Sequence, residues 1–99
     1  MKKWKMRITP ESSRLLAKLH PENKKQLKQA LNGLRQNPYA GKDLQEELSG
    51  FKSHRIKRYR VIYAVNEEEN HIEIYYIGRR SDVYDQFRRL LTELRKPDK

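Results

Sequence analysis

Four basic residues, Arg55, Lys57, Arg60 and Arg80, lie near the ends of segments that read as neighbouring strands. Successive residues of a strand point to opposite faces of its sheet, so Arg55 and Lys57 share one face while Ile56 points to the other. If Ile56 faces the core, Arg55, Lys57 and Arg60 lie on the opposite side, where Arg80 can join them. Arginine pairs bidentately with phosphate oxygens and stays charged, so four converging cations suit a phosphate-bearing ligand.

The strands that must position these cations come from residues 54–80. Residues 61–65 and 72–77 are apolar, β-branched and aromatic, and residues 66–70 between them are turn formers and carboxylates, which predicts an antiparallel hairpin. A shorter strand at residues 54–57 leads into it. Alternation places one set of side chains of the middle strand together against the core, and a second set together on the last strand. The set on the middle strand is Val61, Tyr63 and Val65. The set on the last strand is Ile72, Ile74, Tyr76 and Arg80.

The amino-terminal third predicts a strand followed by two helices. Residues 4–8 alternate apolar and basic side chains, which is typical of an edge strand. Thr9 before Pro10 predicts a helix N-cap and a first helical residue. Pro21 ends this short helix, because the residue before a proline disfavours helical geometry. A second amphipathic helix is predicted to run to about Gln36.

The carboxy-terminal part predicts one more helix. Residues 44–49 read as a linker or a single helical turn, and Ser81 can cap a last helix that Pro97 stops. The predicted fold is α+β, a small single domain over residues 1–99. Its element order is β-α-α-β-β-β-α, with a mainly antiparallel sheet, two amino-terminal helices and a carboxy-terminal helix.

Composition narrows the class of partner. The 99 residues are 36% charged and 35% hydrophobic, with mean hydropathy −1.12 and a net charge of +10. Such a charge favours a polyanionic partner, nucleic acid first and an acidic protein second. Without cysteine there is neither a disulfide framework nor a thiolate metal site. The sequence has no apolar signal region and no run of membrane-spanning length, so we expect a cytoplasmic protein that does not enter a membrane.

The segment RIKRYRVIYAV, followed by IEIYYIGRRSDVY and a closing helix, resembles the RelE/ParE superfamily of toxins from bacterial and archaeal toxin-antitoxin modules. The likeness covers nearly the whole chain, and YRVIY and GRRSDVY are its specific parts. The RelE branch implies a metal-independent endoribonuclease that enters the ribosomal A site and cuts messenger RNA. The ParE branch implies a poison of DNA gyrase without the ribonuclease residues. A non-catalytic RNA-binding module is the third alternative.

In the RelE branch, the resemblance places the catalytic pattern on Arg55, Lys57, Arg60, Arg80 and Tyr84. Attack by the 2′-hydroxyl on the adjacent phosphate needs a base, stabilisation of a more anionic phosphate and a proton for the 5′-oxygen. Lys57 would be the base or, when protonated, a charge stabiliser. Arg60 and Arg80 would hold the scissile phosphate. Tyr84 would stack on a base or orient the 2′-hydroxyl.

Further basic residues are candidates for catalysis or for RNA binding. His54 is a further candidate for acid-base work, although a histidine beside a strand is more often a packing or surface residue. RNA or ribosome binding is expected of Lys24, Lys25, Lys28, Arg58 and Arg79. For the three lysines, which belong to the second helix, a solvated helix face is the alternative. The competing structural interpretation of the whole basic set is a sheet edge protected from aggregation by charge.

No metal site and no cofactor are predicted, because consecutive Glu67, Glu68 and Glu69 have no histidine at ligand spacing. The family resemblance implies a cognate antitoxin, and an acidic segment that folds on binding would suit the +10 charge. Expected partners are therefore the antitoxin, in a hetero-oligomer, and the ribosome with its messenger RNA.

Overall fold

A five-stranded sheet with helices on both faces forms the framework of the chain. The computed structural model describes residues 4–79 and 82–95. The elements are β1 (Lys5–Ile8), α1 (Pro10–Ala17), α2 (Pro21–Gln36), β2 (Lys42–Asp43), a 3₁₀ turn (Glu46–Leu48), β3 (Lys52–Ile56), β4 (Tyr59–Asn66), β5 (His71–Arg79) and α3 (Asp82–Arg95). Strand order is β1-β5-β4-β3-β2. β1 pairs parallel to β5, and the other pairings are antiparallel.

The predicted α+β class and the predicted order of helices and main strands are confirmed. β1 lies at one edge of the sheet, as its alternation indicated. The other edge strand, β2, was not predicted. It is only two residues long, Lys42 and Asp43, which pair with Ser53 and Lys52 of β3. A strand this short cannot show an alternating pattern, so the sequence carried no signal for it.

The predicted start of α1 is confirmed in detail. The Thr9 hydroxyl accepts a hydrogen bond from the Ser12 backbone N–H at 3.2 Å, and Pro10 is the first helical residue. The buried Ser12 hydroxyl donates to the Ile74 carbonyl of β5 at 3.0 Å. This cap satisfies an otherwise unpaired donor of the first helical turn and fixes α1 on the central sheet.

The core has two parts, one on each face of the sheet. Helices α1 and α2 cover the first face. Its buried members are Leu16, Leu27, Leu31, Leu34, Tyr59, Val61, Tyr63, Ile72, Ile74 and Ile77. Helix α3 and the 3₁₀ turn cover the second face, whose buried members are Leu48, Ile62, Tyr76, Val83 and Phe87. Strand β4 contributes to both faces by alternation, as expected for a strand in the middle of a sheet.

One prediction about β5 is wrong. Ile72 and Ile74 face α1 and α2, but Tyr76 packs on the α3 face. Tyr63 pairs with Ile74 and Ile62 pairs with Tyr76, so Tyr75 is an extra residue without a partner on β4. Such a bulge reverses the alternation for all later residues of the strand.

Candidate active site at the end of the sheet

The Tyr84 hydroxyl joins the sheet to helix α3 beside a half-buried arginine. It lies 3.2 Å from Nη1 of Arg60, which donates to it, and 3.0 Å from the hydroxyl of Ser53. The Arg60 guanidinium carbon is also 5.6 Å from the centre of the Tyr84 ring. A hydrogen bond and a cation-π contact together hold this guanidinium in one orientation, which is the preorganisation that phosphate recognition requires.

A glycine on the neighbouring strand makes room for this contact. Gly78 is the cross-strand partner of Arg60. A Cβ atom on Gly78 would lie 2.9 Å from Cγ2 of Val83, closer than real Cβ atoms come to a neighbour. Because Gly78 has no side chain, Val83 packs directly on β5, and the next residue, Tyr84, comes within reach of Arg60. Tyr84 lies in the first turn of α3, which begins at Asp82.

Arg55 lies directly opposite Arg60 on the neighbouring strand β3, so the predicted shared face of these two residues is confirmed. The Arg55 side chain is exposed. Like charges placed directly opposite each other on two strands are destabilising. The Nε atom of Arg60 is buried and has no hydrogen-bond partner among the residues that the structure describes. A bound anion would relieve both the repulsion and the missing hydrogen bond.

The predicted position of Lys57 is wrong. Strand β3 ends at Ile56, which pairs with Tyr59, so Lys57 and Arg58 form a two-residue turn. Lys57 has a positive φ of 54° and therefore does not continue the alternation of Arg55. Its side chain lines a pocket with Arg58 and Arg79. Lys57 thus separates from the face that carries Arg55 and Arg60.

His54 also lies away from Arg60. It pairs with Val61, whose side chain belongs to the core under α1 and α2. Alternation along β3 therefore places His54 on the face opposite Ser53 and Arg55. The remaining predicted catalytic residue, Arg80, lies outside the described residues.

The lysines of α2 form a separate surface. Lys24, Lys25 and Lys28 line a shallow depression together with Pro21, Gln29 and Asn32. Helix α2 covers the sheet face opposite Tyr84, so this surface and the Arg60 site lie on different sides of the sheet. The predicted helix face is basic as expected, and its contact with RNA stays a prediction.

Ser53 is a site residue that the sequence did not reveal. Its side chain is 4% exposed, and its hydroxyl meets the Tyr84 hydroxyl. Ser53 is two residues before Arg55, and this spacing places both on one face of β3. The same spacing would have identified Ser53 from the sequence if this strand had been predicted to begin at Lys52.

Within residues 4–79 and 82–95 there is neither a candidate metal site nor a candidate membrane-spanning helix. No group of three or more histidine, aspartate or glutamate side chains within these ranges is arranged to hold a metal ion. None of the described helices combines the length and the apolar character needed to cross a membrane.

The sequence matches a protein-family model and a curated protein. A family model for the ParE toxin of type II toxin-antitoxin systems matches residues 7–84. Toxin RelE of Mycobacterium tuberculosis strain ATCC 25618 / H37Rv is 43% identical over 49 residues, which are 48% of this chain and 50% of that protein. The matched region therefore spans about half the length of this curated relative.

Solved structures extend the likeness to most of the chain. A chain of the RelBE2 toxin-antitoxin complex of Mycobacterium tuberculosis is 30% identical, with a TM-score of 0.75 over 80% of this chain and 100% of that chain. A mutant of Escherichia coli toxin RelE in the free state is 18% identical, with a TM-score of 0.72 over 90% and 99%. The archaeal RelE-RelB complex of Pyrococcus horikoshii OT3 gives 20% identity and a TM-score of 0.67 over 81% and 98%. At these lower identities the likeness is one of fold.

Proposed function

Because the chain belongs to the RelE/ParE family of toxins from type II toxin-antitoxin systems, we propose that it is an endoribonuclease that cuts messenger RNA in the ribosomal A site. The observation that carries the proposal is the contact of Tyr84 with Arg60, with Arg55 beside it on the same face. These are three of the five residues that the resemblance marks as catalytic. A fold shared by several activities does not choose among them, so the choice depends on these side chains.

The proposed reaction is attack of the 2′-oxygen on the adjacent phosphorus. The new O2′–P bond forms while the P–O5′ bond breaks, leaving a cyclic phosphate and a 5′-hydroxyl. The 2′-hydroxyl gives its proton to solvent water at this exposed end of the sheet, and water supplies the proton that the departing 5′-oxygen gains. Charge accumulates on the non-bridging phosphate oxygens, and the fixed guanidinium of Arg60 would stabilise it there. Arginine cannot serve as the base, because it remains protonated.

The other cations enter this proposal in different ways. Arg55 would add positive charge beside the phosphate from the exposed side of β3. Arg80 would act with Arg60 on the same phosphate, as the family pattern implies. Tyr84 would place a base or the 2′-hydroxyl, since its ring is half-buried against Arg60 and its hydroxyl is held by Ser53. Lys57 has no role on this face because it lies in the turn.

Inhibition of DNA gyrase is the second candidate function. The family model that matches is described as that of the ParE toxin, and this observation favours the ParE branch. The Arg60 and Tyr84 contact favours the ribonuclease branch, because a gyrase poison needs no preorganised phosphate site. A reaction test can therefore separate the two.

Three parallel incubations test the proposal. The protein is added to ribosomes programmed with a defined messenger RNA, to the same RNA without ribosomes, and to supercoiled DNA with gyrase. Cleavage of ribosome-bound RNA alone supports the proposal. Gyrase-dependent DNA breaks without RNA cleavage would reject it in favour of the second candidate, and binding of RNA with neither reaction would indicate a non-catalytic module.

An antitoxin completes the proposed system. Solved relatives include the RelBE2 complex and the RelE-RelB complex, in which a toxin is paired with its antitoxin. We expect this chain to form a comparable hetero-oligomer with an acidic segment, since its net charge is +10. Half-buried Leu15 and Leu19 line a pocket with Tyr59 and Ile77, which an apolar side chain of that segment could fill. Co-expression of a cognate acidic antitoxin should restore growth that the toxin alone arrests.

A further inference from the structure

A second basic site lies at the tip of the β3–β4 hairpin, on the face of the sheet opposite Tyr84. It is a pocket of about 330 Å³, here called the hairpin-tip pocket. Its lining residues are Asn23, Gln26, Lys57, Arg58, Tyr59 and Arg79. Three of these six are cations and, of the described residues that line it, none is acidic. The polar neighbours are amides, which can donate hydrogen bonds to the same anion.

Contacts within the protein hold two of the side chains that line the pocket, Tyr59 and Arg79. Arg79 pairs with Tyr59 across the strands, and its guanidinium carbon lies 5.9 Å from the centre of the Tyr59 ring. Tyr59 is 8% exposed, and its hydroxyl accepts a hydrogen bond from the Asn23 amide at 3.3 Å. A buried ring fixed by α2 thus supports the arginine from below. A guanidinium stacked on a ring keeps its N–H edge available for a phosphate.

Lys57 occupies its place in the turn at a cost. Its φ of 54° is in the left-handed region, which glycine or asparagine adopts more easily than lysine. The turn alone would favour glycine. Among the described residues, no carboxylate forms an ion pair with Lys57, Arg58 or Arg79. Backbone strain and unneutralised charge at one place are typical of a binding site.

We propose that the hairpin-tip pocket binds a backbone phosphate of the substrate RNA that flanks the phosphate held at Arg60. The inference rests on the proposed function, since it takes single-stranded RNA as the ligand. The hairpin-tip pocket and the Arg60 site are adjacent along two strands. Tyr59 and Arg60 are consecutive on β4, and their partners Arg79 and Gly78 are consecutive on β5. The two sites therefore lie back to back across the end of the sheet, and one strand passing over the hairpin tip can reach both.

Binding of a short fluorescent RNA by the whole protein tests the pocket directly. The RNA carries a 2′-deoxy substitution at its cleavage position, so it binds without reacting. Arg79→Ala and Arg58→Ala should each weaken binding roughly 3- to 10-fold, the scale of one exposed charge-assisted hydrogen bond. Each should also reduce the dependence of log Kd on log salt by about 0.7, the value for one lost contact with a single strand. Arg7→Ala, on exposed β1 at the far edge of the sheet, is the matched control and should change neither quantity.

A chemical change in the RNA identifies the phosphate. One uncharged methylphosphonate linkage is moved along the RNA, one nucleotide at a time. In the wild-type protein, the linkage should weaken binding at the scissile position and at one flanking position. The Arg58→Ala, Arg79→Ala double variant should lose the flanking effect and keep the scissile one. A double variant as sensitive as the wild type at every position would overturn the proposal.

Lys57→Gly separates binding from folding. Glycine relieves the positive φ, so the melting temperature should not fall, while RNA binding should weaken like that of the arginine variants. Unchanged RNA binding, together with weaker binding of the acidic antitoxin segment, would overturn the proposal and assign the pocket to the antitoxin. If the wild type binds RNA through the pocket but never cuts ribosome-bound RNA, the proposed function fails and the pocket remains.

Discussion

The two faces of the sheet differ in what they contain. Among the described residues, the face under α1 and α2 buries ten side chains, eight aliphatic ones and the hydrogen-bonded Tyr59 and Tyr63, whereas the face under α3 buries five. The α3 face instead ends in polar contacts among Ser53, Arg60 and Tyr84. One face therefore supplies most of the hydrophobic stabilisation, and the other exposes charge at its end. Folding stability and catalysis should therefore respond to different substitutions.

The largest expected effect is on the α3 face. Arg60→Ala should slow cleavage of ribosome-bound RNA by roughly 10² to 10³, the scale for loss of one preorganised charge stabiliser. The melting temperature should change little, because removal of Arg60 also removes its repulsion with Arg55. Single-turnover cleavage and thermal unfolding measure the two quantities. Full activity in a folded Arg60→Ala protein would exclude this residue from the site.

Leu27→Ala should produce the opposite result. Leu27 is completely buried under the first face, and its truncation should lower the free energy of unfolding by about 2 to 5 kcal/mol. Cleavage measured well below the melting temperature should remain near the wild-type rate. Denaturant unfolding gives the stability change. A Leu27→Ala protein that is fully folded yet inactive would break the separation between the two faces.

Tyr84→Phe should have a smaller effect on the chemistry. The ring and its cation-π contact with Arg60 remain, but the hydrogen bonds to Arg60 and Ser53 are lost. We expect cleavage to slow about 3- to 10-fold, which corresponds to a net loss of about 1 kcal/mol of transition-state stabilisation. Tyr84→Ala, which also removes the ring, should be slower still. Equal rates for the two variants would show that the hydroxyl alone matters.

Tyr63→Phe tests the first face through pH. The buried Tyr63 hydroxyl donates to the Pro38 carbonyl at 2.8 Å and accepts from the Gly41 N–H at 3.0 Å. Burial raises the pKa of Tyr63 above its ordinary value of 10.0, so the neutral phenol is favoured in the folded state. This stabilisation is complete below pH 10.0 and is lost as the pH rises through the higher folded pKa.

The Tyr63→Phe protein should therefore lose about 1 kcal/mol at neutral pH and show a shallower decline of stability above pH 10. The decline should persist in part, because burial also raises the pKa of Tyr75 and Tyr76. Urea unfolding at several alkaline pH values measures the slope. An unchanged slope would show that Tyr63 does not contribute to alkaline unfolding.

Periodic elements were predictable from the sequence. The helices α1 and α2 and the strands β4 and β5 follow from the spacing of apolar residues, and the cap at Thr9 follows from local hydrogen bonding. The approach of Arg55 to Arg60 was also predictable, because both strands alternate regularly up to the turn. In these places local patterns alone determine which side chains meet.

Other parts of the site depend on one-residue details that the patterns do not carry. Lys57 was placed on β3, but the strand ends one residue earlier, and the tight turn moves its side chain to the other pocket. Tyr76 was grouped with Ile74, but a bulge lies between them. The spacing of Ser53 from Arg55 places both on one face of β3, but the contact of Ser53 with Tyr84 depends on how α3 packs, which the sequence pattern does not show.

The bulge at Tyr75 has a consequence for how such a protein can diverge. Side chains at odd and even positions of a strand point to opposite faces of the sheet. The extra residue exchanges the faces of the odd and even positions beyond Ile74. As a result, Gly78 lies under Val83 and Arg79 stacks on Tyr59. Loss of Tyr75 from the gene would leave these two directions unchanged, because Tyr76 would then follow Ile74 in regular alternation and every later residue would keep its partner on β4. Regular pairing of β5 with Tyr75 retained would instead exchange them, sending an arginine under α3 and emptying the hairpin tip, so this one irregularity sets on which side of the sheet the charge of Arg79 lies.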